Sequence, residues 1–328
     1  MAVNNGSVMT FIITGFPGLQ NYQGALFSVF LCIYMTTLLG NISIILVIKL
    51  ENKLQYPMYF FITNLSVLDI LYTNTTIPKM LGKFLMDDSS ISFHACFLQM
   101  FTFLSLSCTE AFLLSVMAYD RYLAICNPLR YAAIITYNIR MSLAAVAWIL
   151  PVAPVSLVVF LAARLPFCGP NIVQHCFCDH SSVARLACTD ITLNSYLGLS
   201  IALAVIIIPF IAVVLSYAKI LLTVFNITSK GGRYRAFSTC SSHLIVVTVF
   251  FASNSIVYIS YRIGNVSVDF RIMSAMMYAV LTPMLNPIIY SLRNKDINQA
   301  WNRLLAKYSE REVMEVLAAN DNSDEDGK

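Results

Sequence analysis

The stretch LGLSIALAVIIIPFIAVVLS, residues 197–216, carries no charged side chain. At the rise of an α-helix, a segment of this length spans about 30 Å, which is the thickness of the hydrocarbon core of a bilayer. Lipid offers no hydrogen-bond partners to the backbone, so a spanning segment satisfies its own polar groups by forming a helix. The stretch therefore predicts one membrane-spanning helix.

The rest of the chain repeats this pattern. Apolar segments lie near residues 24–48, 57–82, 93–126, 139–162, 195–225, 236–262 and 270–291. Only 12% of the residues are charged, against about 25% in soluble domains. We therefore predict an all-α membrane protein, a seven-transmembrane helix bundle with a short amphipathic eighth helix. Because no repeat period is present, an inverted-repeat transporter has no support.

Basic residues between the apolar segments orient the bundle. With an extracellular N-terminus, fifteen of the 21 Lys and Arg residues fall on the cytoplasmic side. Cytoplasmic loops are enriched in Lys and Arg, so this orientation in the plasma membrane is predicted. The sequon Asn5-Gly6-Ser7 predicts glycosylation at Asn5. Chance is the alternative, because five other sequons occur.

Four regions are predicted along the chain. They are an extracellular tail (1–23), the seven-helix bundle (24–291), an amphipathic cytoplasmic helix (292–308) and an acidic, disordered tail (309–328). The amphipathic helix is predicted because apolar residues recur at helical spacing among basic ones: Leu292, Ile297, Ala300, Trp301, Leu304 and Leu305. Basic residues in short loops, rather than in stripes, argue against nucleic acid as a partner.

Cysteines cluster on the predicted outer side. Five of the nine lie there: Cys96, Cys168, Cys176, Cys178 and Cys188. An oxidising exterior permits disulfides among them. His175, Cys176, Cys178 and His180 could instead hold zinc, but a disulfide from this loop to Cys96 is the favoured interpretation.

Several motifs fall in register with the predicted helices. They are Gly40-Asn41, PMYFF (57–61), MAYDRYLAICNPL (117–129), FSTCSSHL (237–244) and PMLNPIIY (283–290). Together they resemble the vertebrate odorant (olfactory) receptors, a branch of the rhodopsin-like G-protein-coupled receptors. The resemblance implies a receptor that binds a small odorant and activates a stimulatory, olfactory-type heterotrimeric G protein to raise cAMP. GFPGL (15–19) and YRIGN (261–265) look like class I receptors, whereas SLRN (291–294) looks like class II.

The resemblance also implies roles for individual residues. It implies the disulfides Cys96–Cys178 and Cys168–Cys188. It implies that Arg121, within Asp120-Arg121-Tyr122, is released on activation and meets the G protein. Resemblance and position together suggest a switch network of Arg121, Tyr217, His243 and Tyr290, whose hydrogen bonds differ between closed and open arrangements of the sixth helix. The alternative for His243 is a core histidine with satisfied hydrogen bonds.

Two acidic residues, Asp69 and Glu110, lie deep within apolar spans. Each is about 16–18 Å from the cytoplasmic end of its helix, so the two share a depth. Adjacent buried carboxylates do not both ionise cheaply without a cation. We predict that they either bind Na⁺ with Asn41, Ser66 and Asn286 or share a proton. The alternative is a purely structural pair, and no other cofactor is predicted.

The ligand site is expected in the outer half of the bundle. Its predicted residues lie in the sixth and third helices: Phe251, Ser255, Tyr258 and Arg262, with Phe103, Leu104, Ser107 and Cys108. A mostly apolar site with a few polar groups suits a small molecule. Arg262 at the outer rim can hold a carboxylate, which predicts an acidic ligand. The alternatives are ordinary helix packing and a pair between Arg262 and Asp269.

Other functions remain open on the sequence. A metabolite-sensing receptor outside the nose would look the same, because tissue expression distinguishes it from an odorant receptor. A transporter or channel would need charged residues through several spans or broken helices. An enzyme is not expected, because the sequence offers no nucleophile–base pair facing a pocket.

Overall fold

The structure is a computed structural model and describes residues 3–4, 7–263 and 266–307. Within these ranges, the side chains of residues 3, 4, 7, 8, 230, 235–239, 262 and 293 are not described. The predicted glycosylation site Asn5 and the predicted disordered tail 309–328 therefore lie outside the described residues.

Seven long helices account for most of the described chain. They are α1 (Gln23–Leu50), α2 (Pro57–Met86), α3 (Phe93–Cys126), α4 (Tyr137–Ile149 and Val152–Ala163), α5 (Thr192–Phe225), α6 (Lys230–Arg262) and α7 (Val268–Met276, a π-helical turn at Met277–Leu281, then Thr282–Arg293). Residues 295–307 form a further helix, α8. Short helices lie at Pro17–Tyr22, Asn52–Leu54, Pro128–Ile134 and His180–Ala184.

Length and hydropathy suit these helices to a bilayer. Among the described residues, six spans are long and apolar enough to cross a membrane. The remaining long helix, α2, has 30 residues but carries Asp69, Lys79 and Lys83. The predicted fold class, an all-α membrane bundle of long apolar helices, is confirmed.

The helix limits differ from the predicted spans where polar or proline residues intervene. α4 is predicted as one span but divides at Leu150-Pro151, because proline lacks the N–H that continues a helix. α7 contains a π-helical turn immediately before Thr282-Pro283. α6 begins at Lys230, earlier than predicted, where the Ser229 hydroxyl accepts a hydrogen bond from the Gly232 N–H. Hydropathy finds the lipid-facing part of a helix and misses such a polar extension.

Five short strands lie at one end of the bundle. β1 (Val3–Asn4) pairs with β2 (Ser7–Val8). β3 (Thr10–Ile13) is central in a second sheet, antiparallel to β4 (Ser90–Ser92) and parallel to β5 (Ile172–Val173). We call this sheet, with the loop 164–191, the cap. Part of the predicted extracellular tail thus forms a packed strand, in which Phe11 and Ile13 point into the core beneath the sheet.

Two disulfides fix the cap. Cys96 at the start of α3 is bonded to Cys178, and Cys168 is bonded to Cys188 within the loop. Both predicted pairings are confirmed, and Cys176 is a free, buried thiol. We refer to this end as the disulfide end and to the opposite one, which contains Asp120 and Arg121, as the arginine end.

α3 runs through the centre of the bundle. Leu113, Leu114 and Met117 on this helix are fully buried. α1 approaches α7 closely at Gly40, where an added Cβ would lie 3.0 Å from Pro287. Glycine at this position therefore permits the helix contact.

Candidate functional site

A cavity of about 230 Å³ opens beneath the cap. Its walls come from α3, α4, α5, α6, α7 and the loop 164–191. Aliphatic and aromatic side chains form most of them, among them Phe103, Leu104, Val155, Val158, Ile206 and Phe250. Polar groups also line it: Ser107, Asp179, His180, Ser181, Arg185, Ser195, Asn254, Tyr258, Tyr261 and Tyr278. A concave, mostly apolar site of this kind suits a small molecule.

The structure brings most of the predicted ligand residues of α3 and α6 to this cavity. Its walls include five of them: Phe103, Leu104, Ser107, Cys108 and Tyr258. Phe251 instead packs against Phe210, with ring centroids 5.1 Å apart. Ser255 is exposed and donates a hydrogen bond to the Phe251 carbonyl. The side chain of Arg262 lies outside the described part of the structure.

On α6, the residues that face the cavity are shifted by one position from those predicted. Phe250, Asn254, Val257 and Tyr261 line the cavity instead of Phe251 and Ser255. Spacing alone gives a helical face but leaves its rotation about the helix axis undetermined by one residue, about 100°. Asn254 could have indicated the correct rotation, because a polar side chain in an apolar span favours the bundle interior.

The loop contributes cavity residues that the sequence analysis missed. Asp179 and His180 follow Cys178, and the disulfide from Cys178 to α3 brings them over the cavity. The Asp179 carboxylate accepts hydrogen bonds from the Ser182 N–H at 3.0 Å and the Tyr261 hydroxyl at 3.2 Å. The implied disulfide was thus a usable signal, since residues next to it must lie near the mouth of the bundle.

His180 lies against α5 with little room to spare. A Cβ added to Gly198 would come within 2.9 Å of the His180 ring. The buried Nε2 of His180 has no hydrogen-bond partner among the described residues. Burial lowers the pKa of His180, against the opposing effect of Asp179. The imidazole is therefore neutral near pH 7 and can donate or accept a hydrogen bond.

A second group of polar residues lies in the middle of the bundle. All five residues of the predicted ion site are buried there: Asn41, Ser66, Asp69, Glu110 and Asn286. The Asn286 amide donates to both oxygens of Asp69, at 3.2 and 3.0 Å. Glu110 lies near enough to Asp69 for their charges to interact and is also close to the Asn286 amide, yet neither of its oxygens meets hydrogen-bond geometry with a partner in the described chain.

Asn41 is held by backbone carbonyls of two helices. Its amide donates to the carbonyls of Thr37, at 2.9 Å, and Pro283, at 3.3 Å. Its Oδ1 has no partner within the described residues. Unpaired acceptors on Asn41 and Glu110 are therefore present in the same buried part of the bundle.

At the arginine end, Tyr217 of α5 and His243 of α6 are joined. The Tyr217 hydroxyl and His243 Nδ1 are 2.7 Å apart, and both residues are buried. Arg121 instead pairs with its neighbour Asp120 at 2.8 Å, and Asp120 also accepts a bond from the Tyr131 hydroxyl at 2.7 Å.

Tyr290 and Tyr122 complete the predicted switch residues. Tyr290 is buried within electrostatic reach of Arg121 and Tyr217, and its hydroxyl has no partner among the described side chains. Tyr122 is half-buried against the apolar core. The structure thus joins two of the four proposed network members and leaves Arg121 and Tyr290 outside that hydrogen bond.

The zinc alternative finds no geometric support. In the described ranges no group of three or more His, Cys, Asp or Glu side chains is arranged to hold a metal ion. The sulfur of Cys178, one of the suggested ligands, is used in a disulfide.

Comparison with known proteins gives the same description for the family profile and for individual relatives. A family profile described as olfactory receptor matches residues 30–308. Olfactory receptor 2AT4 of Homo sapiens is 43% identical over 298 residues, covering 90% of this chain and 93% of that protein. Olfactory receptor 6N1 of Homo sapiens is 44% identical, covering 93% and 97%. Olfactory receptor 1M1 of Mus musculus is 41% identical, covering 92% and 96%.

Proposed function

The chain belongs to the olfactory receptor family of G-protein-coupled receptors, and on this premise we propose that it binds a small odorant in the cavity beneath the cap and activates a stimulatory, olfactory-type G protein that raises cAMP. In this proposal the disulfide end is extracellular and the arginine end faces the cytosol, in the plasma membrane. The observation that carries the proposal is the concave, mostly apolar cavity beneath the cap, whose wall includes α6.

α6 provides the proposed route from ligand to G protein. Tyr258 lines the cavity, and His243 on the same helix bonds to Tyr217 of α5. These two positions on α6 are about 22 Å apart along the helix axis. A ligand that binds one position of α6 better than another shifts the population toward it. Movement of α6 away from α5 would break the Tyr217–His243 bond and expose the surroundings of Arg121 to a G protein.

Arg262 carries the proposed preference for a carboxylate-bearing odorant. The residue ends α6 at the disulfide end, and a guanidinium can hold a carboxylate through two hydrogen bonds. Its alternative partner, Asp269, accepts a hydrogen bond from the Gly18 N–H at 3.2 Å. Unchanged responses of Arg262→Ala to every active acid would remove this part of the proposal.

We further propose that Asp69 and Glu110 hold Na⁺ or share a proton. Support comes from the unpaired oxygens of Glu110 beside a second buried carboxyl. A bound cation would satisfy them. The test is Glu110→Gln: the parent receptor's basal activity should depend on sodium concentration, and that of the variant should not. A sodium-insensitive parent with unchanged basal activity in Glu110→Gln would exclude the ion.

The ligand cavity can be tested through one glycine. Gly198→Ala places a methyl group against His180, so it should raise the half-maximal concentration of an active odorant by about tenfold (about 1.4 kcal/mol). The assay is odorant-driven cAMP in cells that express the stimulatory G protein, screened with acids, amines and neutral odorants. Gly24→Ala is the matched control, because an added Cβ there meets nothing within 4 Å. Equal responses of both variants would contradict the cavity as the binding site.

A further inference from the structure

A second groove lies at the arginine end, outside the odorant cavity and the switch. It has a volume of about 300 Å³ and lies between α1, α2 and the start of α4. Its floor is apolar, with Ile45, Ile48 and Leu54. Its rim carries two cations, Lys49 and Arg140, and the aromatic residues Tyr56 and Phe60.

The two cations have no ion-pair partner among the described residues. The groove lining contains no Asp or Glu. The nearby acid, Glu51, is paired with Arg303 of α8 at 3.4 Å. The Arg140 guanidinium stacks on the rings of Phe60 and Tyr137, and its buried Nε lacks a hydrogen-bond partner in the described chain. The groove is therefore positively charged and uncompensated.

The groove lies at the depth of lipid headgroups. Lys49 is in the last turn of α1, and Arg140 is in the first turn of α4. Both cations are therefore at the ends of membrane spans. Tyrosine and basic side chains at this level are typical of contact with the bilayer interface. An apolar floor beneath the cations suits the start of an acyl chain.

We propose that this groove binds the phosphate headgroup of an anionic phospholipid. Lys49 and Arg140 contact the phosphate, and the acyl chain runs from the apolar floor on α1 into the bilayer alongside α4. Anionic lipids are concentrated in the cytoplasmic leaflet, so only the choice of leaflet rests on the orientation proposed above. The site itself requires neither an odorant nor a G protein.

The two tryptophans of the chain, Trp148 and Trp301, allow a direct test. Trp148 lies about 12 Å along α4 from Arg140, where the acyl chain of a lipid held in the groove would pass. Trp301→Phe leaves Trp148 as the single reporter. The full-length receptor is placed in phosphatidylcholine vesicles that contain acyl-brominated phosphatidylserine or acyl-brominated phosphatidylcholine. Brominated phosphatidylserine should quench Trp148 at a mole fraction about fivefold lower than brominated phosphatidylcholine does.

Charge variants identify the groove as the source of this preference. Arg140→Gln and Lys49→Gln should each lower the preference several-fold, whereas Arg140→Lys should retain much of it. Lys53→Gln is the matched control, because Lys53 is exposed on the same connection but does not line the groove. A thermal unfolding temperature equal to that of the parent receptor confirms that each variant is folded.

Three results would overturn the proposal. Equal quenching by the two brominated lipids would show that the groove does not select an anionic lipid and would point to a soluble partner. An equal loss in Lys53→Gln would indicate diffuse surface charge instead of a site. Abolition of the preference by inorganic phosphate in the buffer would indicate a free anion as the occupant.

Discussion

Two buried polar side chains of α3 differ in their hydrogen bonding: one directly beneath the cap is fully paired, whereas one in the middle of the bundle is not. Gln99 on α3 illustrates the first case: its amide donates to the Thr75 carbonyl at 2.8 Å, and its carbonyl oxygen accepts from the Cys178 N–H at 2.9 Å. Glu110 on the same helix, about 16 Å further along, illustrates the second, because neither of its oxygens has a described partner.

This difference indicates what each region does. A buried polar group that is satisfied stabilises one arrangement, and one that is unsatisfied costs about 1–3 kcal/mol. The cap therefore holds the mouth of the cavity in one shape. The middle of the bundle retains polar groups that an ion, a proton or a second helix arrangement can satisfy. Rigidity is thus assigned to the disulfide end of the helices, and switching to their middle.

Loss of the cap disulfide should have the largest effect. Cys96→Ser opens a link between residues 82 apart in sequence, which should lower the free energy of unfolding by about 4–5 kcal/mol. Surface expression and the thermal unfolding temperature of the purified receptor would both fall. Cys32→Ser, at an exposed free cysteine on α1, is the control. Comparable stability of the two variants would break the assignment of rigidity to the cap.

Removal of the unpaired Glu110 carboxyl should raise the free energy of unfolding, whereas loss of the cap disulfide lowers it. Glu110→Leu should raise the free energy of unfolding by about 1–3 kcal/mol in sodium-free buffer, because a buried group without hydrogen bonds is lost. Odorant-driven cAMP should fall at the same time. The measurement is thermal unfolding beside a dose–response curve.

Asp69→Leu is the matched control for this experiment. Asp69 accepts two hydrogen bonds from Asn286, so its removal leaves a buried amide unpaired and should lower stability. Destabilisation of similar size in both variants would show that Glu110 is as well satisfied as Asp69.

Much of the architecture could be predicted because it depends on local signals. Apolar runs locate the helices, since lipid requires long apolar segments with internal hydrogen bonds. The shared depth of Asp69 and Glu110 follows from helix rise alone, and the structure brings both into the buried middle of the bundle.

The remaining features depend on contacts between distant segments. Strand β3 pairs with β5, and the paired residues Ile12 and Ile172 are 160 positions apart in sequence, so no local pattern indicates that partner. The rotation of α6, which selects Asn254 over Ser255 as a cavity residue, depends on packing against α7, α3 and α5. Asp179 and His180 follow Cys178, which the Cys96–Cys178 bond holds against α3. The resemblance implies this link, but no local pattern specifies it.

A smaller effect is expected from one hydroxyl at the arginine end. Tyr217→Phe removes the bond to His243 and should weaken the closed arrangement by about 1 kcal/mol. Basal cAMP should rise several-fold, while surface expression changes little. Tyr34→Phe removes a comparable hydroxyl, which donates to Asn74 at 2.7 Å in an exposed position. A similar rise in both variants would separate basal activity from the Tyr217–His243 contact.

The smallest expected effect is a pH dependence of stability that comes from two histidines of the cap. His175 and His180 are the cap residues whose buried ring Nε2 atoms have no hydrogen-bond partner among the described residues. Burial lowers the pKa of both side chains, with Asp179 opposing the shift. The unfolded chain, with an ordinary histidine pKa of about 6.5, therefore binds protons more readily than the folded one. The stability that the neutral imidazoles contribute is fully present above about pH 6.5. It is lost as the pH falls from there through the lower pKa values of the folded state.

The unfolding temperature should accordingly fall by about 2 °C or more between pH 7.5 and pH 5.5. His180→Asn should reduce this fall, because the variant has no imidazole to protonate at the cavity rim. His94→Asn, at an exposed histidine of the same end, should retain it. If His180→Asn kept the full pH dependence, protonation at the cavity rim would not be what destabilises the cap. The cap would then tolerate an unpaired imidazole as the middle of the bundle tolerates Glu110, and the contrast between the two depths would be one of degree.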